Sequence, residues 1–219
     1  MPKNPIIHSQ AGTALQAESA LGDASELMQY ARELVVQAGN SALGDPQRAT
    51  IAQSLRGVRW AIRQGIADEK RIGIMGGSYG GYMTVASLSR DPEYLFACGI
   101  TKYGDANLVS SWAQCEKRLR LYTEIFLGHP AENLGIYLKG SPIAEVKNVQ
   151  KPVLIVHGLL DTIVPPEASE EWVEALRREG KTFEYKTYGN EPHGFLRREN
   201  LFDVYERMER FLDWHLLPK

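Results

Sequence analysis

The sequence of 219 residues has few cysteines and no long run of apolar residues. Its two cysteines, Cys98 and Cys115, are too few for a disulfide framework. Because neither belongs to a CxxC pair, two idle thiols are favoured over a single bridge. The apolar run Pro5–Ile7 is too short for a signal sequence, and no stretch approaches the roughly 18 apolar residues of a membrane-spanning helix. We therefore expect a cytoplasmic protein without a membrane partner.

The sequence also lacks an excess of one charge. Its 25 lysines and arginines nearly balance 27 aspartates and glutamates, and the formal net charge is −2. Neither nucleic acid nor an anionic membrane is therefore expected as the main partner. No group of His, Cys, Asp and Glu residues has metal-ligand spacing, and neither a P-loop nor a G-x-G-x-x-G fingerprint occurs. We expect no metal ion and no cofactor.

Two patterns of composition divide the chain. In the first part, residues 11–20, 24–39 and 47–65 are predicted helices, with apolar residues at helical spacing. In the second part, short apolar strands alternate with helices. The predicted strands are Ile72–Met75, Phe96–Thr101, Pro152–His157 and Phe183–Tyr188, and the predicted helices are 79–90, 166–179 and 199–216, with a mixed, helix-rich region over 107–140. This alternation predicts a mostly parallel sheet flanked by helices in an α/β fold.

The segment GGSYG, residues 76–80, matches the pattern G-x-S-x-G between a predicted strand and a predicted helix. In a nucleophile elbow, this spacing places the serine on a sharp, strained turn, and Gly76 and Gly80 allow the strand and the helix to pack closely. Ser78 is then the candidate nucleophile. The N–H of Tyr79, at the helix start, is a candidate oxyanion donor. The alternative is a glycine-rich turn with an idle serine.

A serine hydroxyl needs a base, and the base needs a group that orients it. On an elbow fold, the expected chain order is serine, acid, histidine. Asp161 follows the strand PVLIVH, and His193 follows the strand FEYKTY, so each lies at the carboxyl end of a predicted parallel strand. Individually, Asp161 is compatible with a turn cap and His193 with an ordinary loop residue. Their order and positions together predict the triad Ser78, Asp161 and His193.

Several long segments resemble the catalytic domain of the prolyl oligopeptidase family of serine peptidases. They are RIGIMGGSYGGYMT from residue 71, SPI at 141–143, KPVLIVHGLLDTIVPPEASEEWVEALRREGKTFEYKTY from residue 151, and EPHGF at 191–195. The resemblance implies the α/β-hydrolase fold, with Ser78 as nucleophile, His193 as general base and then acid, and Asp161 as the orienting acid. Members of this family hydrolyse peptide bonds, and several act as esterases.

The sequence differs from the family pattern ahead of the elbow. Family members usually carry a β-propeller and several further strands there, whereas this region is short and helical in composition. We therefore expect a truncated α/β-hydrolase fold, with an N-terminal helical segment over residues 1–56 and a catalytic domain over 57–219. The missing strands would leave the strand at 71–76 with an open edge. We predict that the N-terminal helices or a second subunit, in a homo-oligomer, cover that edge.

The missing strands also normally help to build the second oxyanion donor. Candidate replacements are an N–H near His8–Gly12 or a tyrosine hydroxyl, such as that of Tyr103. Tyr103 follows the second strand of the sheet and is a candidate substrate-facing residue, although packing beneath the cap is the alternative. Trp112 is a second candidate for the substrate pocket and is equally compatible with the apolar face of a cap helix.

Two functional hypotheses remain. The first is a serine hydrolase that cleaves short peptides or small esters through the triad and an acyl-enzyme. The second is a truncated family member whose triad is not assembled and which acts as a structural or binding remnant. Retention of all three triad residues favours the first hypothesis, and the missing strands favour the second. The residues predict neither a preference for peptides over esters nor the acyl and leaving groups.

Overall fold

The computed structural model describes residues 55–91 and 93–218 of the chain. The strands are β1 (Gly73–Gly77), β2 (Cys98–Lys102), β3 (Val153–Gly158) and β4 (Phe183–Tyr188). The helices are α1 (described over 55–63), α2 (Tyr79–Arg90), α3 (Leu108–Gln114), α4 (Lys117–Leu127), α5 (Pro130–Gly140), α6 (Pro166–Arg178) and α7 (Arg198–Leu216). A 3₁₀ helix, Pro142–Asn148, precedes β3.

The four strands form one parallel sheet in the order β1-β2-β3-β4. Each connection between neighbouring strands includes at least one helix. Because all strands run in the same direction, their carboxyl ends meet at one edge of the sheet, where functional groups of such folds gather. The predicted parallel sheet flanked by helices is confirmed.

Strand β3 forms the centre of the core because its sequence is apolar on both faces. All six of its residues are buried. Val153 and Ile155 face a cluster that contains residues of α2 and α6, whereas Leu154 and Val156 face a cluster with residues of α7. Complete burial of each such side chain contributes about 1.5–3 kcal/mol. The continuous apolar run therefore predicted a strand covered by helices on both faces, and the structure has one.

Helices α6 and α7, which pack on opposite faces of the sheet, have the amphipathic pattern predicted from the sequence. In α6, the buried face contains Trp172, Val173 and Leu176, and Gly180 follows the helix with a left-handed φ of 61°. In α7, Val204, Met208 and Phe211 recur at helical spacing and are buried. Residues 107–140, predicted as mixed and helix-rich, fold into the three helices α3, α4 and α5.

The strand boundaries differ slightly from the prediction, because pairing with the neighbouring strand decides where a strand ends. Thus β1 extends to Gly77 and β2 begins at Cys98. The predicted helices over 11–20 and 24–39, and most of the predicted N-terminal segment 1–56, lie outside the described residues. Residues 55–63, within the third predicted helix, are helical.

Strand β1 pairs with β2 along one edge, and its other edge has no paired strand within residues 55–91 and 93–218. Met75 on this strand is 52% exposed. Whether the N-terminal helices or a second subunit cover this edge stays a prediction. Cys98 and Cys115 are both free, buried thiols, and burial raises the pKa of Cys98 to about 11. No helix of the described part combines the length and apolarity needed to cross a membrane.

Candidate active site

The turn between β1 and α2 holds Ser78 in a strained backbone conformation. Its φ is 56° and its ψ is −123°, a combination that residues other than glycine rarely adopt. The Ser78 N–H donates to the carbonyl of Lys102 at the end of β2 (3.0 Å), and α2 begins at the next residue, Tyr79. The serine therefore lies on a sharp strand-to-helix turn above the carboxyl ends of the strands.

Glycines allow main-chain atoms to approach each other at this turn. A Cβ placed on Gly76 would lie 2.3 Å from the carbonyl oxygen of Gly80, which is far inside contact distance. A Cβ on Gly81 would lie 2.8 Å from Gly104 Cα. A Cβ on Gly80 would meet no atom of the described residues within 4 Å. The strand and the helix therefore come close where the Gly80 backbone lies against Gly76. On the helix side, Gly81 rather than Gly80 is the residue that has no room for a Cβ.

The structure brings Ser78, His193 and Asp161 together. His193 Nε2 lies 2.9 Å from Ser78 Oγ, and His193 Nδ1 lies 2.7 Å from Asp161 Oδ2. Ser78 follows β1, Asp161 follows β3 and His193 follows β4, so the three residues converge at the carboxyl edge of the sheet. This linear arrangement gives the hydroxyl an acceptor for its proton and gives the imidazole a carboxylate partner on its far side.

Asp161 is held by its own loop as well as by His193. Its side chain is fully buried, and Oδ1 accepts hydrogen bonds from the N–H groups of Ile163 and Val164, both at 2.9 Å. Burial by itself would raise the pKa of Asp161, but hydrogen bonds with His157, His193 and Val164 lower it to about 2. The carboxylate is therefore ionised across the neutral range and fixed in orientation.

His157, at the end of β3, approaches the same carboxylate oxygen of Asp161 that His193 contacts. It is completely buried, with Nε2 at 2.9 Å from the Val164 carbonyl and 3.4 Å from Asp161 Oδ2. Because both neighbours are acceptors, Nε2 carries a hydrogen, and Nδ1 lies 2.6 Å from the Ser169 hydroxyl oxygen. The sequence analysis did not include His157 among the site residues. Its place four residues before Asp161, at a strand end, was the available signal.

Glu191 holds the loop after β4. Its side chain is buried, and its carboxylate accepts three hydrogen bonds, from the N–H groups of Leu196 and Arg197 and the amide of Asn200, at 2.7, 3.0 and 2.6 Å. Its own carbonyl accepts from the N–H of Leu160 at 2.9 Å, in the loop that contains Asp161. Burial would raise the pKa of Glu191, and these donors lower it below its ordinary value. Sequence analysis also missed this residue, two positions before His193.

Comparison with known proteins identifies the family of the chain. The sequence model of the prolyl oligopeptidase family matches residues 39–218. The chain belongs to the prolyl oligopeptidase family. It is 35% identical over 179 residues to dipeptidyl peptidase family member 2 of Caenorhabditis elegans, which is 78% of this chain and 19% of that protein.

Solved structures agree with the family and with the predicted fold. A puromycin-hydrolysing peptidase of Mycobacterium tuberculosis has a TM-score of 0.72 at 26% identity, over 77% of this chain and 25% of that one. An acylaminoacyl peptidase of Pyrococcus horikoshii has a TM-score of 0.70 at 28% identity, over 78% of this chain and 28% of that one. The predicted α/β-hydrolase fold is confirmed. The chain spans only 21% and 19% of the length of two curated peptidases that it matches.

Other predicted site residues of this prolyl oligopeptidase family member lie at different distances from the triad. Tyr79 is the first residue of α2, next to Ser78, so its N–H lies at the positive end of the helix. Tyr103 lies against the triad, since its ring centroid is 4.6 Å from that of His193. The candidate oxyanion donor near His8–Gly12 lies outside the described residues.

Trp112, on α3, belongs to a separate cluster with residues of α4 and the residue before α5. Its indole N–H donates to Glu124 at 2.9 Å, the Arg120 guanidinium lies 5.1 Å from its ring centroid, and its ring meets that of His129 edge-on at 5.0 Å. These contacts fit the packing alternative, and a substrate contact of Trp112 stays a prediction. In the part of the chain that the structure describes, no three His, Cys, Asp or Glu side chains form a group suited to a metal ion.

Proposed function

We propose that the chain is the catalytic part of a serine hydrolase that cleaves acyl bonds through Ser78, His193 and Asp161. The observation that supports this function best is the continuous line of hydrogen-bond distances, 2.9 Å from Ser78 Oγ to His193 and 2.7 Å from His193 to Asp161. Membership of the prolyl oligopeptidase family supports the same reaction class. The assembled geometry favours this hypothesis over a structural remnant with an unassembled triad.

The reaction proceeds in two halves. Ser78 Oγ forms a bond to the substrate carbonyl carbon while His193 Nε2 takes the hydroxyl proton. The tetrahedral intermediate collapses, the bond to the leaving nitrogen or oxygen breaks, and His193 returns the proton to that leaving group. Water then attacks the acyl-enzyme, with His193 again accepting and returning a proton, and the acid is released. Asp161 holds the imidazole through Nδ1, and the Tyr79 N–H donates to the developing oxyanion.

The substrates that we propose are short peptides and small esters. The names of the relatives describe dipeptidyl and acylaminoacyl peptidases, so peptides with free and with acylated amino termini are the first to test. Esters are the chemically easier substrates because an alkoxide is a better leaving group than an amide nitrogen.

Labelling with a fluorophosphonate probe, measured by intact mass, tests the proposal directly. We expect one equivalent of label on the wild-type chain and none on Ser78→Ala. Ser87→Ala, a serine on the buried side of α2, is the matched control and is expected to keep the label. A folded wild-type chain that takes no label, or a Ser78→Ala variant that is labelled as fast as wild type, would contradict the proposed function.

A further inference from the structure

Tyr103, directly after β2, has a backbone conformation that is unusual for an aromatic residue. Its φ is 41°, in the left-handed region that bulky side chains avoid. Its N–H donates to the carbonyl of Val156 at 2.8 Å, which fixes the residue to the end of β3. Strained residues of this kind persist only where their surroundings hold them, and they cluster at functional sites.

The strained backbone directs the ring between the elbow and the candidate base. The ring centroid lies 4.6 Å from that of His193, with an angle of 58° between the planes, and 6.4 Å from that of His157. Phe195 contacts the ring from another direction, at 5.7 Å. On the elbow side, a Cβ on Gly77 would lie 3.0 Å from the Tyr103 hydroxyl oxygen. The ring therefore occupies the space between the residue before the nucleophile and the imidazole.

We propose that Tyr103 is a positioning residue, whose ring holds the His193 imidazole in line between Ser78 Oγ and Asp161 Oδ2. The two hydrogen bonds of His193 restrain its two nitrogens, and the ring of Tyr103 restrains the imidazole plane, which those bonds leave free to tilt. Aromatic pairs at such distances attract each other in tilted arrangements. This role rests on the proposed function. It differs from the role of an oxyanion donor, which would need the Tyr103 hydroxyl, and from that of a substrate contact, which would need the ring to meet the substrate.

Substitutions at position 103 separate these roles. Glycine tolerates a left-handed φ, and asparagine is enriched there, so Tyr103→Gly and Tyr103→Asn remove the ring without forcing the backbone to change. Tyr103→Phe keeps the ring and removes the hydroxyl. Tyr94 has a similar φ of 52° and is 48% exposed, so Tyr94→Gly is a matched control for the same substitution at a left-handed position.

We expect Tyr103→Gly and Tyr103→Asn to lower kcat and the rate of fluorophosphonate labelling by about 10- to 100-fold, as for a displaced catalytic group, with KM unchanged. Tyr103→Phe and Tyr94→Gly should retain the wild-type values. Loss of activity in Tyr103→Phe would overturn the proposal in favour of a role for the hydroxyl. A rise in KM alone would overturn it in favour of a substrate contact, and wild-type rates in the glycine and asparagine variants would exclude any role.

A spectroscopic measurement keeps this test independent of the proposed function. The downfield NMR signal of the His193 Nδ1 proton, hydrogen-bonded to Asp161 and assigned by its loss in His193→Gln, reports the imidazole position without turnover. We expect the signal to persist in Tyr103→Phe and to broaden or vanish in Tyr103→Gly. An unlabelled wild-type chain would contradict the proposed function, whereas an unchanged imidazole signal in Tyr103→Gly would contradict the role of Tyr103.

Discussion

The turn at Ser78 and the two loops after β3 and β4 are positioned by opposite means. At the turn, main chain packs against main chain, because a Cβ on Gly76 or Gly81 would collide with backbone atoms of a neighbouring segment. In the loops, buried polar side chains supply the restraint. His157 contacts the loop after β3 through Nε2 and Ser169 of α6 through Nδ1, and Glu191 holds the loop after β4 through its carboxylate.

The difference determines what each region tolerates. A region built from close backbone contacts is damaged by an added atom, since overpacking forces the backbone to move. A region built on buried polar side chains is damaged by a removed atom, since the donors that lose their acceptor remain buried and unsatisfied. The candidate nucleophile Ser78 and its two partners should therefore respond to different classes of substitution.

Adding one carbon at the turn should have the largest effect. Because the Cβ of Gly76→Ala would lie 2.3 Å from a carbonyl oxygen, we expect a loss of roughly 3 kcal/mol or more in the free energy of unfolding, or no folded protein at all. Urea denaturation measures this loss. Gly80→Ala is the matched control, and it should change stability by no more than about 1 kcal/mol because alanine is the better helix former. Equal stabilities of the two variants would contradict the idea that Gly76, unlike Gly80, has no room for a Cβ.

Removing a buried carboxylate from the loop after β4 should have the next largest effect. Glu191→Ala leaves the N–H groups of Leu196 and Arg197 without their acceptor and the Asn200 amide with Asn190 alone, so we expect a loss of about 2–3 kcal/mol in the free energy of unfolding. Fluorophosphonate labelling should slow as well, because this loop carries His193. The exposed Glu209 on α7 gives the control Glu209→Ala, which should lie within about 0.5 kcal/mol of wild type. A Glu191→Ala variant as stable as Glu209→Ala would show that the loop keeps its conformation without the hydrogen bonds of Glu191.

Sequence patterns predicted the parts of the site that depend on local order along the chain. The strand, the glycines and the serine of the elbow form one short pattern, and the positions of Asp161 and His193 follow from strand ends in an alternating α/β sequence. The helix bounds could be predicted from periodicity because it, too, is a pattern of residues close together along the chain. The strand ends were less accurate, because pairing between strands decides them.

The supporting residues could not be predicted, because their roles arise from contacts between segments far apart in sequence. Gly81 lies against the main chain at Gly104, where a Cβ would not fit. Tyr103 was a candidate because it follows a strand, but the contact of its ring with His193 could not be predicted. Nothing in the local pattern separates Gly81, His157 or Glu191 from ordinary turn or packing residues. His157 illustrates the point, since a histidine before a glycine at a strand end is typical of packing until the Asp161 carboxylate is placed beside it.

Asp105 extends the comparison to a half-buried residue with one buried carboxylate oxygen, which lacks the donors of Glu191. It lies between β2 and α3, and its buried Oδ1 has no hydrogen-bond partner among the described residues. Burial raises the pKa of Asp105 to about 6, against the lowering effects of Ser111 and of the His157 charge, and the nearby charge of Asp161 adds to this rise. The same kind of group therefore has its pKa lowered where donors converge and raised where they are missing.

The smallest expected effect follows from this raised pKa. Between the ordinary aspartate value of 3.8 and the folded value of about 6, the folded chain binds a proton at Asp105 that the unfolded chain does not. The wild-type free energy of unfolding therefore falls as the pH rises through this window. Asparagine does not titrate, so Asp105→Asn escapes this loss. The free energy of unfolding of the variant minus that of wild type should therefore increase by on the order of 1–2 kcal/mol from pH 4 to pH 7.5. Urea denaturation at both pH values measures the difference; a difference that does not depend on pH would mean that Asp105 is satisfied in the folded chain, and the contrast with Glu191 would then be lost.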